Sequence, residues 1–274
     1  MKTLRPALTL ASLLVCAAAT APAQTASHLG TNTFDDASAI SGLTSSALPG
    51  SSLGSFTVSS GRLEYSTSTP GNYSRVLRMN TGSNTAYTTD WTASLTLTNT
   101  TLPASGYTLM SLQVFDININ SGFFNVGLLR TPSTSYVRYE AAVGPNFAFE
   151  IANSGVVGEA QNTDVLVRFS HNSTTKDITF GYSLDSGLTY QFTHVFNPAS
   201  WSTAPTEGYS FRIIGLNSAG TVDAGTMYAD NFSVTSGATA MVAVPEPSTY
   251  AACAGAAALG LAFWHRRRQA RRAS

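Results

Sequence analysis

Charged side chains are scarce in this chain of 274 residues. Asp, Glu, Lys and Arg make up 11% of it, less than half of the roughly 25% that is usual in soluble domains. The formal net charge of the whole chain is zero. Between residues 24 and 244, however, there are eight of the 15 basic residues and 14 of the 15 acidic residues, so this segment has a net charge of −6. The two ends of the chain are therefore cationic. An acidic segment with so few charges lacks the basic surface that nucleic-acid binding needs.

Cysteine is almost absent as well. The two cysteines, Cys16 and Cys253, both lie in apolar segments near the chain ends. The segment 24–244 contains none, so it forms no internal disulfide. It must be stabilised by its own hydrophobic core, and a segment of about 220 residues is large enough to bury one.

The first 23 residues have the layout of a secretory signal peptide. Two basic residues, Lys2 and Arg5, precede an apolar run, and Ala21-Pro22-Ala23 follows it. Small residues at Ala21 and Ala23 are typical of an A-x-A cleavage site. We therefore expect export with cleavage after Ala23; a buried N-terminal helix is the alternative interpretation.

The C-terminal residues 245–274 contain three parts in a fixed order: Pro245-Glu246-Pro247, an apolar run at about 248–264, and a basic tail that includes Arg266, Arg267 and Arg268. A helix over the apolar run would span about 25 Å, slightly less than the ~30 Å of a typical hydrocarbon core. Each arginine costs roughly 2.5–3.5 kcal/mol at the centre of a membrane helix, so the tail should stay cytoplasmic.

This C-terminal pattern resembles the PEP-CTERM sorting signal of Gram-negative bacteria. The resemblance implies that an exosortase recognises Pro245-Glu246-Pro247 and removes the tail, after the general secretion machinery has exported the chain. It further implies a transient anchor in the inner membrane, a final location at the cell surface or in the extracellular matrix, and a host that makes exopolysaccharide. An ordinary single-pass anchor is the alternative.

Residues 24–234 show almost no helical periodicity. Short runs alternate apolar and polar residues and are separated by clusters of Gly, Asn, Ser and Pro, as in Trp91-Ala93-Leu95-Leu97 or Ile178-Phe180-Tyr182. About a dozen such strands predict one all-β domain, an antiparallel two-sheet β-sandwich. Residues 235–244 then form a small-residue linker to the sorting signal.

Two hairpins are predicted within the sandwich. The turn 184–188 links strand 176–184 to strand 188–196, and the turn 171–175 links strand 164–170 to strand 176–184. The meander that they form resembles the central strands of concanavalin-like or laminin-G-like jelly rolls. The segment 228–234, YADNFSV, resembles the last strand of secreted jelly-roll and carbohydrate-binding modules.

No catalytic set stands out in the sequence. Sandwich glycoside hydrolases need two carboxylates about 5–10 Å apart, and the E-x-D-x-x-E strand motif that carries them does not occur here. We interpret Arg138 and Glu140 as a cross-strand surface pair. His28 and His171 are expected to be solvated, and His194 to lie at the edge of the core, or alternatively on an aromatic platform for sugars. We expect no enzymatic activity and no cofactor.

Calcium is the one ion that the sequence favours. Asp35 and Asp36 begin the body, and Asp230 lies in its last strand. The first and last strands of jelly rolls often pair, which could bring these hard oxygen ligands together around Ca²⁺. Turn chemistry at Asp35 and Asp36, with a solvated Asp230, is the alternative.

Two functions are compatible with these features. The first is a non-enzymatic structural or adhesive component associated with exopolysaccharide or biofilm. The second is a lectin or a carbohydrate-active enzyme, in which exposed rings such as Tyr136, Tyr139 and Tyr190 would stack on sugars.

Overall fold

The computed structural model describes residues 28–79, 88–116, 123–143, 148–156, 163–197 and 208–237, and residue 241. The predicted signal peptide with Ala21 and Ala23, and the sorting signal with its apolar run and arginines, lie outside the described residues. In the part of the chain that is described, no helix is long and apolar enough to cross a membrane.

The described residues form sixteen strands and a 3-10 helix, Ala37–Ile40, and the strands make two sheets. Sheet A has the spatial order β14 (Phe192–Phe196), β13 (Ile178–Ser183), β12 (Val165–His171), β7 (Trp91–Asn99), β16 (Met227–Ser236), β5 (Arg62–Ser66) and β4 (Ser55–Ser59), with β1 (His28–Asn32) also on β16. Sheet B has the order β11 (Ala148–Val156), β10 (Ser135–Val143), β9 (Phe123–Arg130), β8 (Thr108–Asp116), β15 (Tyr209–Asn217), β6 (Tyr73–Met79) and β2 (Ser45–Ser46), with β3 (Ser52–Leu53) also on β6.

The predicted all-β two-sheet sandwich is confirmed. Its strand pairs are antiparallel, apart from a two-residue parallel pairing in which Ser52 and Leu53 lie beside Tyr73 and Ser74. The predicted pairing of the first and last strands is also confirmed, because β1 lies antiparallel to β16 with Asn32 opposite Phe232.

The core lies between the sheets and is built from the apolar half of each alternating strand. Trp91 of sheet A contacts Tyr209 and Phe211 of sheet B edge to face, with both ring centroids 5.3 Å away. Nearer one edge of the two sheets, the ring centroid of Tyr139 of sheet B lies 4.5 Å from that of Phe180 of sheet A. Full burial of one large apolar side chain contributes about 1.5–3 kcal/mol, so this layer stabilises a body that has no disulfide.

Both predicted hairpins are present, with one change in their loops. β12 pairs with β13, and β13 pairs with β14. However, β14 begins at Phe192, so the second connection spans residues 184–191 rather than a tight turn. The longer loop has a physical cause: Tyr190 is buried, and the carboxylate of Asp185 accepts hydrogen bonds from Ser183 and Thr189.

The prediction that His171 is solvated is wrong. His171 is the last residue of β12, in register opposite Trp91, so its side chain points into the core and is fully buried. Its Nδ1 donates to the carbonyl oxygen of Thr89 at 2.9 Å, and its ring stacks on Trp91 with centroids 5.4 Å apart. Burial lowers the pKa of His171 below its usual value near 6.5.

Candidate functional site

A row of polar side chains crosses the outer face of sheet B. In β6, β15, β8, β9 and β10 the core-facing residues alternate with residues that point outward. Directly opposed outward residues follow one another across these five strands, and together we call them the polar band: Arg78, Arg212, Gln113, Asn125 and Glu140. With neighbouring strands about 4.8 Å apart, the band is about 19 Å long.

The middle of the polar band is desolvated without being fully hydrogen-bonded. Gln113 is 7% exposed, Asn125 is 6% exposed and Ser111, in the next row of the same face, is 0% exposed. Ser111 Oγ and Asn125 Oδ1 have no hydrogen-bond partner. An unsatisfied buried polar atom costs about 1–3 kcal/mol, so these atoms favour a polar ligand that supplies the missing partners.

Gly127 leaves this part of the face with little side-chain volume. It lies directly opposite Ser111, and a Cβ atom at this position would be 2.5 Å from the carbonyl oxygen of Met110 and closer still to Cβ of Ser111. Any larger residue would therefore displace β8. This pair of small residues lies beside the buried side chains of Gln113 and Asn125.

One end of the polar band carries an ion pair. Arg138 and Glu140 are bonded as predicted, but they are two residues apart on one strand and share its outer face, so the pair is not a cross-strand pair. Glu140 Oε2 also accepts a hydrogen bond of 3.4 Å from Asn125 Nδ2. The carboxylate is thus held by a cation and an amide.

The other end carries two arginines. Arg78 and Arg212 are directly opposed on β6 and β15, and both guanidinium groups lie over the ring of Phe115, at 5.6 and 3.5 Å from its centroid. Arg78 Nε also donates to Ser210 Oγ at 3.3 Å. Both arginines line a cleft of about 320 Å³ whose other wall is formed by residues 44–49.

The three predicted calcium ligands are not gathered into one set. Asp36 caps the 3-10 helix, where its carboxylate accepts from the backbone N–H of Ser38 at 2.8 Å, and Asp35 accepts from Thr33 Oγ1 at 2.5 Å. Within the described ranges, no three His, Cys, Asp or Glu side chains are grouped so that they could hold a metal ion.

Asp230 nevertheless lies in an acidic environment. Burial raises the pKa of Asp230 above its usual range, and the charges of Asp35 and Asp164 raise it further. The first and last strands thus bring two of the predicted carboxylates, Asp35 and Asp230, close enough to interact. Calcium binding stays a prediction that rests on these two groups.

The predicted sugar-stacking rings are mostly core residues. Tyr139 faces inward on β10 and Tyr190 fills the loop after β13, and both are buried, so the prediction is wrong for these two. Tyr136 is half-buried and points outward on the same face as the polar band. His194 is half-buried and stacks on Tyr139 with centroids 5.0 Å apart, at the edge of the core.

The arrangement of the two sheets is similar to that of jelly-roll-like β-sandwiches among the solved structures. It is similar to an endo-1,3-β-glucanase from Streptomyces sioyaensis, with a TM-score of 0.52 and 15% identity over 81% of this chain and 100% of that one. It is also similar to the CBM2 module of the evolved Dit of Lactobacillus casei BL23 phage J-1, with a TM-score of 0.50 and 11% identity over 76% and 94% of the two chains. Lectin II from Ulex europaeus matches with a TM-score of 0.44 and 10% identity, over 71% of this chain and 98% of the lectin.

The similarity between this chain and these solved structures is a similarity of fold. No curated protein matches the chain in sequence. Residues 243–268 match the PEP-CTERM protein-sorting motif, which confirms the predicted resemblance to this sorting signal. The motif indicates an exported protein that is sorted by an exosortase.

Sequence reasoning missed most of the polar band. Of its five residues, only Glu140 belongs to a sequence-based prediction, as a partner of Arg138. The one available signal was that Arg78, Gln113, Asn125 and Arg212 each interrupt an apolar strand at an outward position. Their alignment depends on strand order, which that signal does not contain.

Proposed function

We propose that this protein is a non-enzymatic structural or adhesive component of the cell surface or extracellular matrix, and that it binds exopolysaccharide through the polar band. In this proposal an exosortase removes the C-terminal tail after export through the inner membrane. The β-sandwich is then displayed as an acidic, cysteine-free domain.

The observation that carries the binding function is the polar band with its unsatisfied oxygen atoms, Ser111 Oγ and Asn125 Oδ1. Sugar hydroxyls both donate and accept hydrogen bonds, so a glycan that displaces the side chains around these buried atoms could satisfy them. Flat polar faces with few mobile side chains also lose little conformational entropy when a ligand binds.

The composition of the polar band favours binding over hydrolysis. Glycoside hydrolysis uses two carboxyl groups that flank the scissile bond. The band contributes one, Glu140, and this carboxylate is already engaged by Arg138 and Asn125. These contacts therefore do not leave Glu140 free to act as a general acid or a nucleophile.

A binding assay with a matched pair of variants tests the proposal. The mature secreted protein is applied to a glycan array that includes the matrix polysaccharide of the host, and reducing sugars are measured in parallel. Each hydrogen bond contributes about 0.5–1.5 kcal/mol, so the double variant Gln113→Ala/Asn125→Ala should bind about tenfold more weakly.

Thr96→Ala is the control, because Thr96 points outward on sheet A, away from the polar band. It should bind as the parent does. Release of reducing sugars would favour the alternative, a carbohydrate-active enzyme, and the absence of any glycan binding would leave only a structural role.

The sorting step has its own test. Mass spectrometry of the secreted protein from a strain with an active exosortase should show no peptide that runs from Pro247 into the terminal arginines. Intact C-terminal peptides in the secreted fraction would argue for an ordinary membrane anchor instead.

A further inference from the structure

Arg78 and Arg212 form a pair of like charges in an acidic domain. They are directly opposed on neighbouring antiparallel strands, an arrangement that is destabilising for equal charges. Among the described residues, the ion pairs to carboxylates are Arg62–Glu64 and Arg138–Glu140, and neither involves this pair. Two cations are therefore held together without an acidic partner in that part of the chain.

The surroundings of the pair hold the cations in place rather than separate them. Arg212 is half-buried, and its guanidinium lies 3.5 Å from the centroid of Phe115, at a distance typical of cation–π stacking. Arg78 is oriented by Ser210 Oγ. Burial, and then the charge of Arg78, lowers the pKa of Arg212, so an anion placed beside the two guanidinium groups would be attracted to both.

The cleft beside the pair has room for such an anion. Its volume is about 320 Å³, and it is bounded by Arg78 and Arg212 on one side and by Ser45 and Ser46 on the other. Guanidinium groups bind carboxylate and other oxyanions through two parallel hydrogen bonds, which fixes the orientation of the ligand as well as its affinity.

We propose that Arg78 and Arg212 form a subsite for the anionic group of an acidic sugar residue, so that the polysaccharide bound by this protein is itself anionic. This inference rests on the proposed glycan binding along the polar band and names the chemical class of the glycan. The acidic residue of the glycan lies at the β6–β15 end, and the chain continues over Gln113 and Asn125.

The test compares three polymers of similar length: a polyuronate, the same polymer with its carboxyl groups reduced to alcohols, and a sulfated glucan. The mature protein is titrated with each by isothermal calorimetry at low and moderate salt. It should bind the polyuronate at least tenfold more tightly than the reduced polymer. Tighter binding of the sulfated glucan would assign the subsite to sulfate esters within the same inference.

The variants Arg78→Gln, Arg212→Gln and their combination should lose this preference for the charged polymer. Arg168→Gln is the matched control, because Arg168 also lies over an aromatic ring, Tyr190, at 5.3 Å, but on the outer face of sheet A. It should keep the preference. Melting temperatures of all variants verify that they are folded.

The possible failures are distinguishable. If the reduced and charged polymers bind equally, or if Arg168→Gln weakens polyuronate binding as much as the double variant does, the anionic subsite is overturned and glycan binding by the polar band stands. If no polymer binds, both proposals are overturned.

Discussion

The ring of Tyr65 in sheet A lies against the backbone of Gly215 in sheet B. A Cβ atom on Gly215 would be 2.9 Å from Cε2 of Tyr65 and closer still to Cγ and Cδ2. Tyr65 is 0% exposed, and its ring lies over Gly54 in the same way. The two glycines thus provide the space for a large side chain that fills the layer between the sheets.

We predict that Gly215→Ala destabilises the sandwich by about 1–3 kcal/mol, the usual cost of overpacking a dense core. Urea denaturation, monitored by tryptophan fluorescence, measures this change in the free energy of unfolding. The same substitution in a Tyr65→Leu background should cost clearly less, because the clashing ring atoms are gone. Equal costs in both backgrounds would mean that Tyr65 is not the cause.

The hydroxyl group of Tyr65 is predicted to contribute nothing to stability. Its Oη is buried without a hydrogen-bond partner, and burial raises the pKa of Tyr65. Because Tyr65→Phe removes an unsatisfied polar atom and keeps the ring, the variant should be as stable as the parent or more stable by up to about 1 kcal/mol. A loss of stability in thermal denaturation would contradict this prediction.

His171 should make stability depend on pH below neutrality. Its folded-state pKa is lowered by burial, so the neutral form contributes stability above the unfolded pKa near 6.5, and this contribution is lost as the pH falls through the folded pKa. The free energy of unfolding should therefore decrease between pH 7.5 and pH 5, and less so in His171→Gln. A slope in His171→Gln as steep as that of the parent would contradict this prediction.

Asp185 should protect the loop 184–191 at acidic pH. Hydrogen bonds from Ser183 Oγ and from the hydroxyl and N–H of Thr189 lower the pKa of Asp185 to about 2. A lowered folded pKa means that the stabilisation is present above the unfolded value near 3.8 and disappears as the pH falls toward 2. Asp185→Asn should lower the melting temperature at pH 6 and flatten its acid dependence; an acid dependence as steep as that of the parent would contradict this prediction.

The strands of this fold could be predicted because alternation is a local property. Each inward residue of β7 or β13 is two positions from the next, and the pattern is visible without any knowledge of partners. The length of the loop after β13 could not be predicted, because the burial of Tyr190 and the hydrogen bonds of Asp185 are tertiary effects. The burial of His171 could not be predicted for a related reason: a polar side chain favours solvent, but strand register places this one opposite Trp91.

The candidate site depends on contacts between distant parts of the chain. The ion pair of Arg138 and Glu140 could be predicted because the two residues are close in sequence, although the prediction places them on different strands and they share one face of β10. Arg78 and Arg212 are far apart in sequence, and they meet only because β15 lies between β6 and β8 in sheet B. Nothing in the local pattern of either strand contains that order.

The position of β16 has a mechanical consequence. This strand is hydrogen-bonded to β7 on one side and to β1 and β5 on the other, and the chain that follows it leads to the sorting motif. Tension applied along that connection, with glycan held at sheet B, would pull β16 parallel to its own length. The hydrogen bonds on both of its edges would then share the load in shear instead of opening one after another, as they would in a strand peeled from the rim of a sheet.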